Sequence, residues 1–295
     1  MSTTGEGEAE GSRVLRQTVD FAGKVLIPAG VLTGVLYYFG YVQARAFFAY
    51  FGIDLGTLEL TSASYTAGSA GAIFRPLVSL FLIGIVAFIA HLVLVGVLAG
   101  KRTDWRRPIW VSVAAVAVAL LALGATGVRW PGFLVSASMA ATALGLGALA
   151  LDYAMGMATE DERLAPAIVD AVRRTKWPRK TLLVGLAVVA VFWWTTNAAN
   201  RTGFESARAV EKSLLIRPQA VVYSAERLEI SGLWVVEEPL SGSDSMFAYR
   251  YTGLRVLTHT NGRWFLLPAG WTRSNRDVVV LLPDDAEGLR VDLRP

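Results

Sequence analysis

The hydrophobic positions of the chain follow two regimes. As far as Thr196 they gather into long runs almost free of charged side chains, and beyond it they alternate over short stretches. An apolar run of about 20 residues matches the hydrocarbon core of a bilayer at 1.5 Å of rise per residue, so such runs predict transmembrane helices. They cover about Val25 to Val42, Leu77 to Leu98, Ile109 to Val128, Phe133 to Tyr153 and Leu182 to Thr196. The pattern therefore predicts an α-helical polytopic membrane bundle of about five transmembrane helices. The last run is the shortest and crosses only if its ends anchor at the interfaces.

The segments between the runs carry further signals. Gly30 and Gly34 form a small-xxx-small pair on the first span, and Ala141 with Gly145 belongs to a small-residue face on the fourth. Both patterns let helix backbones approach closely. Aromatic residues crowd the far end of the first span: Tyr37, Tyr38, Phe39 and Tyr41, then Phe47, Phe48, Tyr50 and Phe51. Rings of this kind favour the headgroup layer, so Tyr37, Tyr38 and Tyr41 are expected to anchor the interface, as are Trp177, Trp193 and Trp194 around the fifth span. Gly52 breaks the helix, and 54–70 reads as an amphipathic excursion along the membrane face, capped onward by Thr61 or Ser62. The sequence leaves open whether 43–71 dips back into the bilayer.

Residues 159–175 predict an interfacial helix. Thr159 and Glu162 have capping-box spacing, and Leu164, Ala165, Ile168, Val169 and Val172 form one apolar stripe. Arg173, Arg174, Lys176, Arg179 and Lys180 follow it, the pattern of a helix lying on anionic lipid headgroups.

After Asn197 the period changes. A short helix is expected over Phe204 to Leu215. Strands are expected over Gln219 to Ser224, Leu233 to Glu237, Met246 to Thr252, Leu254 to Thr260, Arg263 to Pro268, Val278 to Leu282 and Leu289 to Leu293. Asn261-Gly262 between two of them is a strong two-residue hairpin signal. These strands predict a small C-terminal β-rich domain, a sandwich or open barrel. The organisation expected is an acidic disordered tail over 1–23, a transmembrane domain over 24–197 and an extracytoplasmic β-rich domain over 198–295.

Composition sharpens this picture. Of the 295 residues 54% are hydrophobic and 18% charged, against nearer a quarter charged in soluble domains. The chain has no cysteine, which removes disulfides, thiolate nucleophiles and cysteine metal ligands. The net charge of +4 is modest, and its basic residues lie at the ends of the apolar runs, which argues orientation rather than nucleic-acid binding. On one side fall Arg13, Arg16, Lys24, Lys101, Arg102, Arg106, Arg107, Arg163, Arg173, Arg174, Lys176, Arg179 and Lys180. On the other fall Arg45, Arg75 and Arg129. The positive-inside rule makes the first side cytoplasmic. The expected location is thus a bacterial cytoplasmic membrane, with the N-terminus inside and the β domain outside. The acidic start lacks the basic region of a secretory signal, so the first span is expected to be retained.

Three stretches carry a resemblance. They are Tyr38 to Tyr41 leading to Phe51 to Asp54, Val221 to Ser224, and Tyr249 to Arg255 with Phe265 to Pro268. On these the chain resembles five-span integral membrane proteins of actinobacteria, Streptomyces-like, whose activity is unknown. The resemblance implies a class of architecture and carries over no functional residue.

Candidate chemistry is sparse. His91 lies within the second span, where an ionisable group is a functional candidate by default; Asp152 near the inner end of the fourth span is a candidate partner for it, its other reading being an interfacial acid exposed to water. The competing role for His91 is a cross-bundle hydrogen bond. His259 reads as a strand-surface residue, and Asp54 and Glu59 as turn caps or solvated acids. Ala67-Gly68-Ser69-Ala70-Gly71 lacks the first glycine and the strand of a nucleophile elbow. With no phosphate loop, zinc motif or dinucleotide fingerprint, no enzyme activity and no cofactor is expected. The expectation is a membrane-anchored sensing or interaction module with an envelope protein partner. The alternative is a channel or transport subunit formed by homo-oligomerisation.

Overall fold

The computed structural model describes residues 30–99, 106–130, 132, 135–159, 164–240, 246–275 and 277–295. The expected acidic tail and Glu162 of the capping pair lie outside them. The helices are α1 (30–50), α2 (Ser62–Ala99), α3 (Arg106–Arg129), α4 (Ala137–Ala158), α5 (Pro166–Arg174) and α6 (Lys176–Lys212). Their starts follow local chemistry. The Thr61 hydroxyl accepts from the Ser64 amide at 3.3 Å ahead of α2. The Ser136 side chain does the same for Met139 ahead of α4. Pro166 opens α5 at a position that needs no amide donor. Thr159 closes α4 rather than opening α5.

Four helices are long and apolar enough to cross a membrane: α2 over Pro76–Val93, α3 over Arg107–Arg129, α4 over Ala137–Ala158 and α6 over Lys176–Lys212. The expected count of five is not confirmed among the described residues. The first expected span begins outside them, and what is described of it, α1, is diluted by Tyr37, Tyr38, Tyr41, Gln43 and Arg45. The fifth expected span and the short helix after it are one continuous α6 of 37 residues. At 1.5 Å per residue it is about 55 Å long.

The chain divides into two compact units. One comprises 71–201. In it α3 and α4 interlock through glycines. Gly147 stands where a Cβ would meet the Leu121 amide nitrogen at 3.0 Å and the Ala117 carbonyl at 3.1 Å. Helix α2 is apolar all round yet keeps most of its surface outside the protein, with Phe81 and Val86 both 65% exposed. A helix of this kind is suited to lipid as its solvent.

The other unit comprises 1–70 and 202–295. Its sheet has six antiparallel strands: β1 (Gln219–Ser224), β2 (Val236–Pro239), β3 (Tyr249–Thr260), β4 (Arg263–Pro268), β5 (Val280–Pro283) and β6 (Leu289–Arg294). The order is β5-β4-β3-β1-β6, with β2 pairing the first part of β3. The strands form one sheet, not the two that the sandwich alternative requires. Asn261 and Gly262 form the β3–β4 turn with φ of 47° and 66°, as the dipeptide predicts. The two strands expected over Met246 to Thr252 and Leu254 to Thr260 are one strand that starts at Tyr249, because β1 pairs with residues on both sides of Gly253.

Period-two alternation gives this sheet two apolar faces. On β4, Phe265 and Leu267 join one core and Leu266 the other. The Leu266 face is covered by Leu228, Ile230 and Val235 of the β1–β2 connection. The Phe265 face is covered by helix ends and a loop: Phe48 and Tyr50 of α1, then Phe51, Ile53 and Leu58, with Ala207 of α6 and Leu214. Gly40 and Gly203 permit this gathering. A Cβ at Gly40 would overlap the Tyr65 carbonyl of α2, and one at Gly203 the Gln43 carbonyl of α1.

Candidate functional site

Within the unit formed by 71–201, the two sequence candidates each find a partner, but not each other. His91 Nδ1 lies 3.0 Å from the Tyr153 hydroxyl, and the rings meet edge to face at 5.5 Å. Asp152, the candidate partner, instead pairs with Arg179 at 3.6 Å. Adjacent positions on a helix diverge by about 100°, so Asp152 and Tyr153 address different neighbours. Arg179 also donates to the Val172 carbonyl at 3.4 Å, which ties the start of α6 to α5. These pairs bond across helices, His91 from α2 to α4 and Asp152 from α4 to α6.

The packing candidates divide in the same way. Ala141 is buried, and a Cβ at Gly145 would meet Ala190 of α6 at 3.3 Å. Gly30 and Gly34 have nothing among the described residues within 4 Å of such an atom. The close crossing of α1 with α2 is made at Gly40, which stands amid Tyr38, Phe39 and Tyr41 with Ala44 four residues on. Of the expected anchors, Trp177 is 79% exposed, Tyr37 and Tyr38 are at the lower end of exposed, and Tyr41, Trp193 and Trp194 are half-buried.

In the unit formed by 1–70 and 202–295, a polar cluster that the sequence did not signal pins the β4–β5 connection to two helices. The Tyr50 hydroxyl of α1 donates to the Glu211 carboxylate of α6. The other Glu211 oxygen accepts from the Arg273 amide at 3.0 Å. The Arg273 guanidinium lies over the rings of Tyr50 and Phe204 at 4.8 and 4.7 Å. Burial, and then the bond to Glu211, pushes the Tyr50 phenol up from its ordinary value. The phenol therefore stays neutral and donating. These residues are far apart in sequence, so no local spacing marks them.

At the hairpin, Asp284 accepts from Trp264 Nε1 at 2.9 Å and lies 3.1 Å from His259 Nε2. His259 stacks on Trp264 with centroids 4.1 Å apart. This fits the expected strand-surface role. Asp54 caps a 3-10 turn by accepting from the Gly56 amide at 2.8 Å, as one of its two expected roles required. Ser69 is buried within α2 and donates to the Thr66 carbonyl at 2.6 Å, which is no elbow geometry. Among the described residues no group of three or more His, Asp or Glu is placed to hold a metal ion. No protein-family model, no curated protein and no solved structure matches the chain.

Proposed function

We propose that the protein is a membrane-anchored sensing or interaction module whose β domain lies outside the cytoplasm and meets an envelope partner there. One observation carries the reading. The core beneath the sheet is built jointly from Phe265 and Trp271, from Phe48 and Tyr50 at the end of α1, from Phe51, Ile53 and Leu58 after it, and from Ala207 on α6. A load on the sheet therefore acts on two helices rather than on a flexible tether. The same α6 begins at Lys176, directly after the amphipathic α5.

The topology supports this. Four crossings by α2, α3, α4 and α6 bring the chain back to the side it left, as a core shared between residues 48–58 and the sheet requires. The basic residues of α5 and the start of α6 favour the cytoplasmic side for that end, against anionic headgroups. The sheet then faces outward.

The sheet unit presents exposed apolar side chains on loops and an edge strand: Leu233, Trp234, Val236, Met246 and Val278. Trp234 also holds a φ of 69°, a conformation that a bulky residue adopts only under constraint. A photo-crosslinking amino acid placed singly at Trp234, Val236, Met246 and Val278 tests the reading in intact cells. The expected result is a discrete adduct of higher mass from at least one position. No adduct from any of the four would leave an anchor without a partner and refute it.

A further inference from the structure

Helices α2, α4 and α6 enclose an open-sided crevice of about 90 Å³, lined among others by Leu80, Ile83, Gly145, Leu149, Ala187 and Ala190. Its walls are almost wholly apolar. Sites for drug-sized ligands occupy several hundred Å³, so this crevice suits a strand of hydrocarbon rather than a compact solute. It runs along α6 through Ala187, Ala190, Val191 and Trp194, one helical face. Lys180 stands seven positions before Ala187 and Lys176 eleven, so each lies within about 20° of that residue around the helix. Both lysines are exposed and form no ion pair among the described residues, whereas Arg179 beside them is committed to Asp152 and the Val172 carbonyl.

Lys180 is therefore about 10 Å below the near end of the crevice. One leaflet of hydrocarbon is about 15 Å deep. A phosphate held by the lysines leaves its acyl chain at the right depth and on the right face to enter between Leu149 and Ala187. We propose that one anionic glycerophospholipid is retained here, its phosphate between Lys176 and Lys180 and one acyl chain in the crevice. This deepens the reading of this end as lying on anionic headgroups and rests on it. It replaces diffuse attraction to a surface with a single site joining charge and crevice.

Native mass spectrometry of the full chain tests this, after delipidation and addition of equimolar phosphatidylglycerol and phosphatidylcholine. One bound phosphatidylglycerol per chain is expected. Lys176→Gln with Lys180→Gln should lower its retention roughly thirtyfold, the factor that two lysine–phosphate contacts near a surface supply. Gly145→Leu, which fills the crevice, should lower retention of either lipid, and Ala187→Leu repeats that test from the facing helix if Gly145→Leu does not fold. Arg173→Gln with Arg174→Gln, on α5, should change retention little. Equal retention of the two lipids, an unaltered double-lysine variant or an unaltered crevice variant would overturn the proposal. So would a dimer that carries no lipid, since a second copy would then cover the crevice. An α5 variant as defective as the lysine variant would also overturn it, while leaving surface attraction intact.

Discussion

Leu58 is the sharpest point at which to test the shared core. It sits in the short segment between α1 and α2, is fully buried, and shares a core with Phe265 and Leu267 of β4 and with Trp271 of the β4–β5 connection. Its carbonyl accepts from Asn261 Nδ2 at 2.9 Å, so the segment is also tied to the β3–β4 turn. Leu58→Ala deletes three buried carbons in a site walled by aromatic rings that collapse poorly. Substitutions of this kind cost about 2–5 kcal/mol, and about 3 kcal/mol is expected here. That is a loss of roughly a hundredfold in the folding equilibrium. With a urea slope of about 1.5 kcal/mol/M, the midpoint should fall by about 2 M. Trp271, buried in the same core, makes the transition visible by fluorescence in detergent, and pulse proteolysis gives an independent reading. A loss below about 0.5 kcal/mol, the scale of a surface substitution, would show that Leu58 does not complete this core. For the same reason 202–295 expressed without 43–61 should not fold natively, since Phe265 and Trp271 would lose their cover.

Two further outcomes follow from the sheet. Gly253 holds a φ of 81°, and a Cβ there would overlap the Trp234 carbonyl, so Gly253→Ala should lower the urea midpoint as strongly as Leu58→Ala, through strain and displacement of the loop over β3. Tyr251 is buried, its hydroxyl accepts from the Leu228 amide at 2.8 Å, and burial raises its pKa. The raised value means that wild-type stability is full below the ordinary tyrosine pKa of about 10 and is lost as pH climbs from there toward the folded value. Tyr251→Phe should cost about 1–2 kcal/mol at neutral pH by orphaning the amide, and should flatten the alkaline decline in midpoints measured up to pH 11.

Much of the sheet was legible because strand signals are local. Gln219–Ser224 and Arg263–Pro268 coincide with their expected bounds, and Asn261-Gly262 marks its own turn. The long helices were legible by hydropathy, except where polar residues do not break a helix. Asn197 to Gly203 reads as a boundary but continues α6, since Gly203 alone in it disfavours helix strongly and that glycine serves a close crossing. The aromatics after Phe47 were not legible in role. A ring at the headgroup layer and a ring in a protein core have the same local pattern, and the partners that decide, Leu257, Phe265 and Trp271, come some two hundred residues later. His91 illustrates the same limit: its intramembrane position was plain, yet the choice between Asp152 and Tyr153 depends on how α4 is rotated.

The most direct measurement uses the absence of cysteine from the natural sequence. Thr57→Cys lies before α2, Ser274→Cys in the sheet domain and Thr175→Cys between α5 and α6, and all three positions are exposed. Each is labelled with a membrane-impermeant maleimide in cells stripped of wall, before and after lysis. The account predicts labelling of positions 57 and 274 in intact cells and of position 175 only after lysis. Labelling of 57 and 274 from opposite sides would contradict the shared core, and labelling of 175 from outside would reverse the orientation on which the proposed function stands.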